Sequence, residues 1–174
     1  LDERGRLFLA ESSGKNIKGL AMAQAPECRI RLLTDTDGDG RYDQGTAFVD
    51  RIGIPMGVLW HDGALFVESP PELLRFDDVD GDGRADTRRV LLSGWHVRGT
   101  ASLHGPFLGP DGWLYLTDGR HGFDIKTKEG AQMKGLAARI WRLRPDGTQL
   151  QSFAGGGFDN PVEVSWTAAG ELIG

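Results

Sequence analysis

Cysteine is nearly missing from this chain. Cys28 is the only one among 174 residues, so no disulfide closes within it, and the fold must be held by packing, backbone pairing or bound ions. That absence leaves the compartment open, because extracytoplasmic proteins also do without disulfides. Long apolar runs are missing too. None approaches the roughly 20 residues needed to cross a bilayer, so no membrane span is expected, and the opening Leu1-Asp2-Glu3-Arg4 has neither the basic nor the apolar region of a secretory leader. Clusters of positive charge are the third absence. Lys and Arg number 20 against 25 Asp and Glu, for a net charge of −5. The basic stripe that nucleic-acid binding requires is therefore not there, and nucleic acid is excluded as a partner.

What is abundant is glycine, at 26 residues, about twice its usual share. Four of these glycines close one recurring phrase, a turn ending in Gly followed by an apolar run. The phrase occurs at Gly5 before Arg6–Glu11, at Asp62-Gly63 before Ala64–Glu68, at Asp111-Gly112 before Trp113–Thr117, and at Gly170 before Glu171–Ile173. Asp-Gly between two apolar stretches predicts a hairpin, since Gly takes the positive φ such turns need. A second phrase follows at Arg29–Leu33, Leu73–Phe76 and Arg139–Leu143. Each then leads through another Asp/Gly turn to a third run, at Thr46–Val49, Arg89–Leu92 and Gln149–Phe153.

Short strands recurring every roughly 45–60 residues predict an all-β fold, a β-propeller segment of about three blades of four-stranded antiparallel sheet. The alternative is a sandwich or meander rich in Asp-Gly turns. The blades fall at 1–50 (partial), 53–93, 102–154 and 161–174 (a beginning), forming one propeller segment over 1–174. About three blades do not close a ring, so a fragment of a larger propeller, or an arc needing a partner, is expected.

Two acidic phrases stand between the third and fourth strands of successive blades: "DTDGDGRYD" at 35–43 and "DVDGDGRAD" at 78–86. Alternate side chains in a tight loop converge, so Asp35, Asp37 and Asp39, and likewise Asp78, Asp80 and Asp82, can surround a hard cation. Arg41 and Arg84 would add a backbone carbonyl, and Asp43 and Asp86 an oxygen at the ninth position. The twelfth position holds Thr46 and Arg89 instead of the Glu of a helical EF-hand loop, so a shorter, structural Ca²⁺ loop is expected. The competing reading is a polar turn in which Asp and Gly satisfy backbone groups. Like charges crowded into one loop, twice at one address, favour the ion.

Acid/base and anion-binding groups concentrate between Gly94 and Asp124, where His96, Arg98, His104, Asp118, Arg120 and His121 lie. Within this stretch, "HGPFLGPDGWLYLTDG", together with "GIPMGVLWHDGALFVESPPELLRFDDVDGDGRADTRRVLLSGW", resembles the membrane-bound dehydrogenases that carry a sugar-dehydrogenase-like propeller, often joined to a haem-binding module. More distantly it is similar to the soluble quinoprotein glucose and sorbosone dehydrogenases. The resemblance covers most of residues 1–174. It implies a six-bladed propeller, a periplasmic or extracellular location, pyrroloquinoline quinone with calcium as cofactors, a sugar or alcohol substrate, and a haem c module as electron acceptor.

In those enzymes a His before a Gly-Pro-Asp-Gly phrase is the general base, which carries over to His104 ahead of Gly109–Gly112. The family places that His some residues upstream, near Ala101 here. Such a shift would turn His104 to the opposite face of the strand unless a bulge intervenes. The same resemblance places cofactor-facing loops at Arg120 and His121. Each of the three also has a plainer reading, as a His satisfied by backbone groups and as exposed loop residues. No Cys-x-x-Cys-His occurs, so any haem belongs outside this chain. Gly155–Pro161 lacks the Lys-Ser/Thr of a phosphate loop. Its "FDNPVEV" resembles a Pro-led entrance to an inner strand, as "IGIPMGV" does at 52–58. Two functions therefore stand side by side, a quinoprotein-like dehydrogenase and a non-catalytic calcium-bound propeller that binds carbohydrate or protein.

Overall fold

The apolar runs become strands and the Asp-Gly pairs become the turns between them. The computed structural model describes residues 1–15, 17–24, 26–98, 102–136 and 138–174. Strands β1 (Leu7–Glu11), β2 (Cys28–Thr34) and β3 (Gln44–Ile52) form an antiparallel sheet in that order. A one-turn helix, α1 (Gly19–Gln24), lies between β1 and β2. The next sheet is a four-stranded meander of β4 (Gly57–His61), β5 (Ala64–Ser69), β6 (Glu72–Asp77) and β7 (Thr87–Ser93). In the third, β8 (Leu103–Leu108) pairs with β9 (Leu114–Asp118), and β12 (Ala138–Leu143) joins β9 to β13 (Gln151–Phe158). A hairpin of β10 (Phe123–Lys126) and β11 (Gln132–Gly135) is inserted between β9 and β12. The last element is a second hairpin, β14 (Ser165–Trp166) and β15 (Leu172–Ile173).

Three sheets, each a blade, stack through apolar faces. Every residue of β5 is buried, and period-two alternation divides its side chains between two neighbours. Leu65 and Val67 join Phe8, Ile30 and Leu32 of the first blade, whereas Ala64 and Phe66 join Leu114, Leu116 and Trp141 of the third. Strand β9 repeats the pattern, with Tyr115 turned to a further cluster containing Val164 and Trp166. Fully burying one such side chain contributes about 1.5–3 kcal/mol, so the blade interfaces carry most of the fold's stabilisation.

The inner strands approach closely. A Cβ placed on Gly57 of β4 would lie 2.0 Å from the carbonyl oxygen of Gly105 in β8. This contact puts β4 and β8 side by side on the inner face of the arc. Three of the four glycine turns join paired strands, at Gly63, Gly112 and Gly170. The fourth, at Gly5, closes on Asp2, whose backbone N–H donates to Arg6 O and whose carboxylate accepts from Arg4 N and Arg6 N. Two details differ from the sequence reading. Gly155 to Gly157 belong to strand β13, and the inserted β10–β11 hairpin was not anticipated.

Candidate functional site

The acidic loops fold alike down to their hydrogen bonds. Asp35 accepts from Gly38 N (2.7 Å) and Gly40 N (2.8 Å), as Asp78 does from Gly81 N (2.9 Å) and Gly83 N (3.1 Å). Asp37 and Asp80 each cap the N–H two residues on, at 3.1 Å, and Asp39 and Asp82 cap Arg41 N and Arg84 N at 2.8 Å. Gly38, Gly40, Gly81 and Gly83 all have positive φ, which the sharp reversals need and side chains resist. The backbone N–H of Gly40, and then that of Gly38, holds the Asp35 carboxyl below its ordinary range against the opposing effect of burial.

The oxygens that converge differ between the loops. In the first, Asp35, Asp37 and Asp39 bring one oxygen each within 4.8 Å of the others; in the second the group is Asp78, Asp80 and Asp86. The ninth-position carboxylates are held alike, Asp43 accepting from Thr36 N and Thr36 Oγ1 and Asp86 from Val79 N and Asp80 N, so the two sets differ although the backbone bonds match. A carboxylate has about four lone-pair sites, so the backbone bonds leave acceptor capacity for a cation. The second loop also touches the first blade. Ala85 N donates to Phe48 O at 2.9 Å, linking the loop to β3.

A second feature lies on the inner face. A cavity of about 540 Å³ is lined by inner strands β4 and β8 and by residues 162–166, with His104, Glu163 and Trp166 among its walls. The β8–β9 register jumps from His104↔Thr117 to Phe107↔Tyr115, so Gly105 and Pro106 form a bulge between His104 and the Gly109–Gly112 phrase. This is the device that can re-aim a side chain displaced in register. His104 is buried, and its Nε2 lies 3.1 Å from Asn160 Oδ1. Facing that oxygen, Nε2–H donates and Nδ1 keeps the lone pair in the neutral ring. Burial lowers the His104 pKa, partly offset by the Asn160 bond. Ala101 lies outside the described residues.

Arg120 and His121 follow β9 and do not line this cavity. Arg120 Nη1 binds both oxygens of Asp159, at 2.5 and 2.7 Å. The His121 pKa is lowered by burial and then by the charges of Arg120 and Arg98, while its backbone oxygen lies 3.2 Å from His96 Nδ1. His104 and Arg120 are thus anchored to neighbouring residues, Asn160 and Asp159, without sharing a pocket. Sequence reasoning missed both anchors. Their only signal was the motif "FDNPVEV", legible as a strand entrance and silent about what its polar residues hold.

Among the described residues, no helix is long and apolar enough to cross a membrane. A family model described as "Domain of unknown function (DUF7133)" matches residues 1–173. No curated protein matches the chain.

Proposed function

The chain belongs to the DUF7133 family, and from that premise we propose that it is a propeller segment whose blades are braced by calcium in the 35–43 and 78–86 loops. The observation that carries this reading is the duplication: two loops at one structural address, with matching backbone bonds and three converging carboxylates each. Calcium takes six to eight oxygens in flexible geometry. In the first loop Asp35, Asp37 and Asp39 would hold it, with the Arg41 carbonyl; in the second Asp78, Asp80 and Asp86 would do so, with the Arg84 carbonyl. The ion supplies charge neutralisation and loop closure.

Chelation is expected to lower the Tm, by roughly 5–10 °C relative to calcium at a hundredfold excess over Kd. Asp37→Ala and Asp80→Ala should each remove part of the shift, and the double variant all of it. Asp80→Ala should cost more, because its loop is bonded to the neighbouring blade through Ala85 and Phe48. A melt indifferent to EDTA would overturn the proposal.

A second reading, oxidation of a sugar or alcohol in a quinoprotein-like enzyme, is favoured by one observation. His104 is a buried, neutral imidazole in the wall of the inner cavity, a fit state for accepting a hydroxyl proton. Pyrroloquinoline quinone, when bound, would accept the hydride. Arg120 is already matched by Asp159 and stands outside the cavity lining, so no step is assigned to Arg120 or His121. Dye reduction with an aldose or alcohol panel, in protein supplied with the quinone and calcium, tests this reading. Activity lost in His104→Gln would support it, and silence across the panel would leave the cavity as a binding site.

A further inference from the structure

The apolar interface between the second and third blades contains two carboxylates. Glu68, next to last in β5, has 0% exposure and Asp118, last in β9, has 1%. Strand alternation fixes where they point. Glu68 follows Ala64 and Phe66, and Asp118 follows Leu114 and Leu116; all four belong to the core cluster shared by the two blades. The two acids therefore enter one interface from opposite sides, and the Asp118 charge adds to the cost of ionising Glu68.

None of their four carboxylate oxygens has a hydrogen-bond partner among the described residues. A buried carboxylate without a partner is costly when ionised and is relieved by a proton, a paired cation or a metal. The charges facing this interface decide among these. Arg139 of β12 stands opposite Asp118 in the β9–β12 register, and its guanidinium packs over the Phe123 and Trp141 rings on this same face. Arg75 of β6, over Phe66, is engaged by Asp77. The other cluster members are apolar, Leu91 and Leu92 of β7, Leu103 of β8, Phe123 and Ile125 of β10, and Trp95, while His61 of β4, whose ring lies 6.4 Å from that of Phe66, stands at the opposite end of the β4–β5 pairing from Glu68. Two carboxylates and one guanidinium leave a single negative charge, which one proton balances. A divalent ion would leave a net positive charge beside Arg139.

We propose that Glu68 and Asp118 form a proton-binding site in which one proton is held between the two carboxyls, balanced by Arg139, so that the second and third blades stay packed only while the site is protonated. The acid/base properties agree. Burial, and then the Asp118 charge, pushes Glu68 well above the ordinary carboxylate range. Burial raises Asp118 to about 7, against the opposing pull of the nearby Trp141 indole, whose Nε1–H is likewise without a partner among the described residues, and of the Arg139 charge. Raised carboxyl pKa values favour the folded state at low pH. The contribution is complete below the unfolded value of 3.8 for Asp118, and it is lost as pH rises through about 7.

The test compares the melting temperatures of the wild-type chain, Glu68→Gln and Asp118→Asn from pH 5 to pH 8. His104 and His121, whose pKa values are lowered, titrate in the opposite sense, so the readout is the difference between wild type and variant. That difference should shift in favour of Glu68→Gln by roughly 5 °C or more across the range. Infrared spectra of wild type at pH 7 should contain the C=O stretch of a protonated carboxylic acid that is absent from Glu68→Gln, and this band decides the matter if the variants fail to fold. Parallel pH curves, or no such band, would overturn the proposal. So would calcium or sodium raising the Tm at pH 8 in an Asp37→Ala/Asp80→Ala background, but not once Glu68→Gln is added, because the site would then hold a cation.

Discussion

A methyl group at Gly57 has no room. Its Cβ would sit 2.0 Å from Gly105 O and 2.9 Å from Gly105 C, both backbone atoms that no rotamer change can move. The contact joins the first strands of two blades, β4 and β8, so the strain falls on the joint between them. Gly57→Ala is expected to cost about 1–3 kcal/mol, in the range of overpacked cores. Gly157→Ala, where nothing lies within 4 Å, should stay within about 0.5 kcal/mol. Urea denaturation of the two variants checks this, and equal midpoints would show that the β4–β8 approach is not tight. The same residue scale explains why Gly57 could not be identified from sequence. Pro55, two residues before it, marks a strand entrance, but the atom that excludes a side chain belongs to Gly105, far along the sequence.

At the scale of elements, the inserted β10–β11 hairpin roofs the third blade. Phe123 meets the Trp141 ring edge-on at 4.7 Å, and Trp95 bridges to Phe123 through the backbone. Trp141 is fully buried and Trp95 nearly so, so removing the Phe123 ring opens a cavity against both. Phe123→Ala should cost about 3–5 kcal/mol and shift tryptophan emission to the red as water reaches the indoles; an unshifted spectrum would mean that the hairpin covers neither.

The meander strands were legible, because Asp-Gly turns and apolar triplets are local signals. The β10–β11 hairpin was not, since Phe123-Asp124-Ile125-Lys126 alternates over only four residues and its partner, Gln132–Gly135, carries little apolar character. The acidic loops were legible as motifs, yet which of their carboxylates converge was only partly so. Asp39 and Asp82 cap equivalent backbone N–H groups, as do Asp43 and Asp86, so neither motif nor backbone bonding tells which of them joins the converging group. Glu68 reads from sequence as a polar strand end; its burial comes from a blade whose facing strand lies some 50 residues on, a separation set by the repeat.

Across the whole molecule, stability is distributed as in other repeat architectures, by blade and by interface between neighbours. The second blade is covered on both faces, with β5 and β6 contributing to the clusters on either side. The β14–β15 hairpin, in contrast, has two residues per strand, none of them buried, and attaches through Trp166, Leu172 and the adjoining Val164. Local opening free energies should follow that gradient, because an amide exchanges through the cheapest opening that frees it. Hydrogen exchange is therefore expected to be slowest in β5 and β9 and fastest in β14–β15, with β13, whose residues are nearly all exposed, in between. If calcium braces the loops, adding it should slow exchange in β2, β3, β6 and β7, which flank them, and leave β14–β15 unchanged. A uniform slowing over all fifteen strands of the described residues would instead mean that the blades open together as one cooperative unit, and the loop at 78–86 would then stabilise the arc as a whole rather than the joint between its first two blades.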